Sequence, residues 1–379
     1  MAQEALRQES APRAPRRTPL YDVHKALGAK IIPFAGFEMP VHYPSGIVSE
    51  HRAVRERAGL FDISHMGELE VRGSGALDLV QFVTTNDASR LEVGQAHYSV
   101  ICQEDGGALD DCLVYRFPDH WMLVVNASNQ VRDREWVAKY GRRFGAQVID
   151  RSADTALLAL QGPKAPQVLS RLTRTDLTGI PYYHFAQGEV GGCRAVLSRT
   201  GYTGEDGFEL YVASEDAHSL WSRLLEVGAQ EELIPIGLGA RDSLRLEMGY
   251  ILYGNDLDEN HTPLEAGLGW VVKLDKGDFL GHDALARQKE EGVRERLVGF
   301  TLKERGFPRH GYEVRYDGEP AGEVTSGILS PTLDHGIGMA YVPIEAANPG
   351  TPLEVIIRNR LVQAEVVRPP FYREGSLRR

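Results

Sequence analysis

Near residue 290 the hydrophobic pattern of this chain changes character, and that change limits what it can fold into. Upstream, strand-like and helix-like stretches follow one another without a regular strand–helix–strand rhythm. Gly67-Glu-Leu-Glu-Val-Arg-Gly73 and Trp121-Met-Leu-Val-Val-Asn126 read as strands ended by Gly or Asn, whereas Gly75 to Phe82 and Ala217 to Val227 carry apolar residues at helical spacing. An irregular mixture of this kind points to an α+β fold rather than a doubly wound sheet. After the charged run that follows Leu285, the pattern becomes short strands and turns: 297–302, 312–316, 322–326, 337–342 and 353–357. A boundary is therefore expected near 290, with a small all-β barrel after it. The full 379 residues exceed what one core supports, so residues 19–290 should form two lobes and 291–379 the barrel.

Composition narrows the function. A net charge of −11, from 42 Lys and Arg against 53 Asp and Glu, disfavours a basic nucleic-acid-binding face. No apolar run reaches the roughly 18 residues of a membrane helix. The cysteines, Cys102, Cys112 and Cys193, show no C-x-x-C spacing, so neither a disulfide framework nor structural zinc is expected, and a reducing, cytoplasmic setting fits. Residues 1–18 are rich in Arg and Pro without an apolar h-region. They read as a disordered arm and not a secretory signal, while Glu4 and Glu9 interrupt the basic face of a mitochondrial presequence. Gly73-Ser-Gly75 lacks the remainder of a dinucleotide fingerprint. Walker A, H-E-x-x-H and G-x-S-x-G motifs are absent.

Three segments put polar residues in apolar company. In Gly106-Gly-Ala-Leu-Asp-Asp-Cys-Leu-Val-Tyr-Arg116 a Gly-Gly turn opens a strand that begins with paired acids. Strand alternation sends Asp110 and Asp111 to opposite faces, so one can meet solvent while the other enters a pocket with Leu113 and Tyr115. An enclosed Asp there could accept a proton or stabilise a cation, and the plain alternative is an acid that closes the turn. In Ser198 to Tyr211, glycines recur at 201, 204 and 207 before a strand, bringing backbone close to a neighbour. Glu209 lies between Phe208 and Leu210, either on a wet face or enclosed with a hydrogen-bonding partner. In Gly237 to Tyr250, Arg241 and Arg245 stand at i and i+4 on a stripe continued by Leu244 and Met248. Each could clamp an acceptor, or form an ion pair with Asp242 or Glu247.

Taken together, these segments resemble the aminomethyltransferases (T-proteins) of the glycine cleavage system from about Thr18 to Arg373. The likeness is carried by Thr18-Pro-Leu-Tyr21, Phe61-Asp-Ile-Ser-His-Met-Gly67, Gly106 to Tyr115, Arg199 to Glu209, Gly237 to Tyr253 and Pro263-Leu-Glu-Ala-Gly-Leu-Gly-Trp270. The resemblance implies a three-lobed cloverleaf around a central folate channel, with the β-barrel as last lobe. It implies tetrahydrofolate as co-substrate, no metal, flavin or NAD, and lipoylated H-protein as partner, through it the other glycine cleavage proteins. It also implies the reaction: a methylene group passes from the aminomethyl-lipoyl arm to tetrahydrofolate, and ammonia is released. Position by position, the catalytic Asp falls on Asp111 rather than Asp110. The folate-binding set falls on Met66, Tyr98, Leu113, Val124, Asn126, Tyr202, Glu209, Arg241, Tyr250 and Arg373, with Tyr202 and Glu209 as the pterin pair. A folate-dependent demethylating module is the nearest rival enzyme, but this length leaves no room for its flavin domain. A folate-binding accessory protein is the rival of another class. The basic residues Arg287, Lys289, Arg294 and Arg296 are candidates for docking the partner.

Overall fold

The computed structural model describes residues 14–378. Most of the expected disordered arm, residues 1–13, lies outside the described residues, but its last part is tied down. Arg16–Arg17 pair in parallel with Phe37–His42, and the buried Thr18 hydroxyl donates to Asp62 Oδ2 at 2.6 Å. Residues 16–18 therefore belong to the body rather than to the expected arm, because backbone and side-chain hydrogen bonds hold them there.

The first lobe is a five-stranded sheet in the order Ala96–Cys102, Ala108–Arg116, Trp121–Val125, Gly67–Arg72, Gln147–Asp150. Helices Ala76–Val83 and Gln130–Phe144 cover one face, packing Leu79, Val80 and Val137 against Leu69, Val71 and Leu123. The second lobe is a six-stranded sheet, Phe185–Val190, Cys193–Ser198, Gly207–Ala213, Thr155–Gln161, Gly59–Asp62, Ile234–Ile236. Helices Ala165–Ser170 and Ala217–Gly228 close its outer face, and the second inserts fully buried Trp221 among Leu158, Leu160 and Leu210. Burying a ring of that size contributes a few kcal/mol. Pairing in both sheets is antiparallel except where Ile234–Ile236 joins Gly59–Asp62, as an α+β order requires.

The last helix of the mixed region ends at Glu291, and a closed six-stranded barrel begins at Glu295. Phe300, Val314, Val324, Val342, Val355 and Val366 fill its interior. The expected strands form, and a sixth, Arg360–Val367, pairs with both Pro352–Ile357 and Glu295–Leu302 and shuts the barrel. Its signal was the inward series Val362, Ala364, Val366 after a hairpin turn at Arg358 and Asn359, which take φ of 50° and 62°.

Helix Leu238–Glu247 joins the lobes. At its C-terminal end Glu247, fully buried, accepts from Arg55 Nη2 at 2.7 Å and from the barrel hydroxyls of Ser330 and Thr332 at 2.5 and 3.0 Å. Arg245 reaches the barrel through Ser326 Oγ at 2.7 Å and binds Asp256 at 2.6 Å. These bonds hold one end of the helix against the barrel and aim its Arg241 inward.

Candidate active site

Where the inner faces of the two sheets meet the barrel there is a cavity of about 600 Å³, a size suited to one folate-sized ligand. Strand Ala108–Arg116 supplies its acid. Alternation places Cys112 and Val114 in the first lobe's core, while Asp111 and Leu113 line the cavity. The companion acid departs from the sequence expectation. Asp110 is 0 % exposed and does not meet solvent, because the Asn126 backbone N–H, Asn126 Nδ2 and Asn129 Nδ2 donate to it at 3.0, 2.9 and 2.7 Å. Asn126 Nδ2 also donates to Asp111 Oδ1 at 2.8 Å, so one amide bridges both carboxyl groups. Burial, then the negative charge of Asp110, push Asp111 up to about 7, with Tyr98 and Asn126 opposing.

The second lobe supplies the other acid. Glu209 and Tyr211 point inward, and Phe208 and Leu210 belong to the opposite core, as a period of two demands. Burial raises the Glu209 carboxyl, while the Thr200 hydroxyl, which donates a short hydrogen bond to Oε2, and the Arg241 charge hold it down. The glycines before this strand serve the protein itself. Gly204, at φ 79°, lies where a Cβ would sit 2.3 Å from Met248 Sδ, so the loop closes on the adjoining helix end.

Aromatic rings sit beside these acids. The Tyr202 hydroxyl donates to the Ile251 carbonyl, its ring stacks on Tyr250 at 5.7 Å, and the Arg241 guanidinium lies 4.6 Å from its centroid. Tyr98 stacks on Trp270 at 6.0 Å. Its buried hydroxyl is turned toward Asp111 without a well-aligned hydrogen bond. Arg245, four residues from Arg241, takes the structural alternative and pairs with Asp242 and Asp256.

Of the positions singled out in the sequence, the structure brings Met66, Tyr98, Asp111, Leu113, Val124, Asn126, Tyr202, Glu209, Arg241 and Tyr250 to this cavity. Arg373 is the exception. Its guanidinium is exposed and donates to the carbonyls of Pro370 and Arg368 at 3.3 Å, and Arg368 lines the cavity in its place. The tail turns back on itself after the barrel, which a register drawn along the sequence does not reveal. Sequence reading missed Trp270, Tyr182, Tyr183 and Thr200 as lining residues. Trp270 closes a block already quoted for the resemblance, and the Tyr-Tyr pair flanked by Pro181 and His184 was a visible signal. Among the described residues no three or more His, Cys, Asp or Glu come together to hold a metal ion.

Comparison with known proteins decides the family. Residues 20–276 match the GCVT N-terminal domain and residues 295–373 the glycine cleavage T-protein C-terminal barrel domain. The chain belongs to the aminomethyltransferase family of the glycine cleavage system. An aminomethyltransferase of Symbiobacterium thermophilum is 54 % identical over 371 residues, 96 % of this chain and 99 % of that one. One from Halothermothrix orenii is 50 % identical over 357 residues, 94 % and 99 % of the two chains. The crystal structure of glycine cleavage system aminomethyltransferase T from Bartonella henselae superposes with a TM-score of 0.89 at 35 % identity, covering 95 % of this chain and 99 % of that one. In this aminomethyltransferase the cloverleaf and barrel of that fold enclose the two acids.

Proposed function

We propose that the cavity binds tetrahydrofolate with its amino edge on Glu209 and its reacting nitrogen near Asp111, and that a methylene group reaches it from the aminomethyl-lipoyl arm of H-protein. The observation that carries this reading is a pair of buried carboxyl groups from different lobes opening onto one aromatic-lined cavity. A carboxylate can accept the pterin's exocyclic amine and adjacent ring N–H together, and Thr200 steadies Glu209 for that fork. Tyr98, Trp270, Tyr202 and Tyr250 offer ring faces.

The carbon keeps its oxidation level. Its bonds to the amine nitrogen and to the lipoyl sulfur break, and bonds to the folate N5 and N10 form. The two folate N–H protons leave with the ammonia and the thiol, giving 5,10-methylenetetrahydrofolate. Departure of ammonia builds an iminium-like cation, and ionised Asp111 in a low-dielectric wall stabilises it without reorganising. Arg241 meets the folate's negative or carbonyl oxygens.

Arg287, Lys289, Arg294 and Arg296 are all exposed, and Arg296 lies at the cavity, so this edge is our docking surface for H-protein and, through it, for the other glycine cleavage proteins. We place the protein in the cytoplasm, a setting that suits three free, buried cysteines. Among the described residues no helix is long and apolar enough to cross a membrane.

The deciding experiment mixes aminomethylated H-protein, tetrahydrofolate and the enzyme and measures ammonia. Release that depends on all three is expected. Folate binding with no release above background would instead indicate an accessory binding protein.

A further inference from the structure

Behind Asp111, on the side away from the cavity, lies a third acid that the proposed chemistry does not use. Asp133, on helix Gln130–Phe144, is 0 % exposed. Neither of its carboxyl oxygens receives an N–H or hydroxyl donor from the described residues, and it lies on the same helix one turn beyond Asn129, whose Nδ2 donates to Asp110, so that the two buried carboxyl groups face each other. Two carboxylates buried side by side repel each other, and a carboxylate can only accept, so the pair is stable only with one member in the acid form, which can donate to the other. The distribution of donors says which. Asp110 already collects the Asn126 N–H, Asn126 Nδ2 and Asn129 Nδ2 at 2.7–3.0 Å, a cradle for a carboxylate. Asp133 has none of these, so it carries the hydrogen.

We propose that Asp133 is a positioning residue: it keeps one proton bound against Asp110, so that Asp110 remains a single fixed negative charge directly behind Asp111 and sets the proton affinity of that carboxyl group. This inference rests on the reading of Asp111 as the reacting acid. Burial first, then the Asp110 charge and the bond to it, push Asp133 up to about 11, in keeping with a proton retained at neutral pH. The other groups that face the cluster are few. Arg132, beside Asp133, lowers it, and its guanidinium donates to Tyr253 Oη at 2.9 Å and pairs with exposed Glu259. Tyr253 and Cys112 feel the charges of Asp110 and Asp133, while Tyr98, on the strand paired with that of Asp111, and Tyr202, from the second lobe, act on Asp111. Arg132 is the cation named in this set; its charge opposes the proton on Asp133 but is outweighed by burial and by Asp110.

The consequence can be read in the pH profile. Asp111 must be ionised to stabilise the cation, so kcat/KM should rise with pH through about 7. Without the Asp133 donor, Asp110 takes up a proton more readily, its negative charge is lost near neutrality, and Asp111 ionises at lower pH. In the full-length enzyme Asp133→Ala should therefore move the midpoint of the acid limb down by about one pH unit. Asp133→Asn, whose amide restores a donor to Asp110, should return it to within about 0.3 unit of the wild type. A role confined to packing would lower stability or turnover and leave the midpoint in place, which overturns the proposal.

The proton itself is visible without any turnover. An infrared difference spectrum of wild type minus Asp133→Asn near about pH 9, where Asp111 is ionised, should show the C=O band of a protonated carboxylic acid. Glu68, another buried acid raised well above its usual value, is common to both proteins and cancels. Absence of that band overturns the shared proton. If Asp133→Ala does not fold, Asp110→Asn takes its place and should also lower the acid limb, and an unmoved limb counts against the proposal. Full turnover by Asp111→Asn would sink the underlying reading of Asp111 while leaving the infrared band where it is, so the two failures are separable.

Discussion

Asp111 and Glu209 are both carboxyl groups held in apolar surroundings, yet their neighbours suit them to the different roles proposed above. Asp111 is bonded to an amide and faces a tyrosine hydroxyl, with a second acid behind it, so burial and like charge bring its ionisation into the neutral range. Asp111→Asn preserves shape and removes the charge. Tetrahydrofolate binding should persist while turnover falls at least about 100-fold, roughly 2.7 kcal/mol of transition-state stabilisation; single-turnover ammonia release beside equilibrium binding separates the two effects. Glu209 is steadied by Thr200 and faces Arg241, an arrangement for gripping donors. Glu209→Ala should weaken tetrahydrofolate affinity by about 10- to 100-fold, in line with losing charge-assisted hydrogen bonds; a titration with unchanged affinity would mean that the pterin edge lies elsewhere. Legibility at this scale followed alternation. The period of two in Asp111-Cys112-Leu113 and Phe208-Glu209-Leu210 told which side chains shared a face. It could not tell that Asp110 would be buried as well, because that depends on the Asn126–Asn129 turn arriving from the next strand.

Helix Leu238–Glu247 shows how an element positions a side chain. Its apolar stripe, Ala240, Leu244 and the following Met248, buries against the sheets, and Glu247 ties its end to Arg55, Ser330 and Thr332. Glu247→Gln leaves Arg55 with a lost ionic partner in a buried site, although Glu205 and the Thr203 carbonyl still accept from it. Destabilisation of about 2–4 kcal/mol is expected, seen as a lower urea midpoint, together with a raised KM for tetrahydrofolate as Arg241 on the same helix loses its alignment. A variant with wild-type midpoint and KM would show that the helix is held by apolar packing alone. The stripe was readable in advance, but the choice between a site role and an ion pair was not. Arg241 and Arg245 have the same spacing relation to the stripe, and it is Asp256 and Ser326, distant in sequence, that draw Arg245 away.

For the whole molecule, the junction of lobes and barrel is held by a charge that acid can remove. Burial alone would raise Glu247, but His51, Arg55 and Ser330 outweigh it and hold the carboxyl down to about 2. Its folded value is below its unfolded one, so its contribution is complete above about pH 4.5 and fades as pH falls toward about 2, on the order of 3 kcal/mol in all. The stability gap between wild type and Glu247→Gln, measured by urea unfolding, should accordingly narrow from about pH 6 to about pH 3; a constant gap would place the linkage elsewhere. The proposed docking edge belongs to this scale too. Replacing Arg287, Lys289, Arg294 and Arg296 together by Ser should raise KM for H-protein without lowering the urea midpoint, while unchanged H-protein kinetics would remove this surface from the reaction.

By itself the sequence determined the periodicities: which residues alternate into a wall, where mixed structure yields to short strands, and which ordered blocks resemble an aminomethyltransferase. Local patterns suffice for these because side-chain direction repeats along a strand or helix. Tertiary structure alone decided that Arg368 rather than Arg373 reaches the cavity, that Arg360–Val367 closes the barrel, and that Asp133 meets Asp110. Each of those outcomes depends on two stretches of chain brought together in space, and pairing across space leaves no period in the sequence of either.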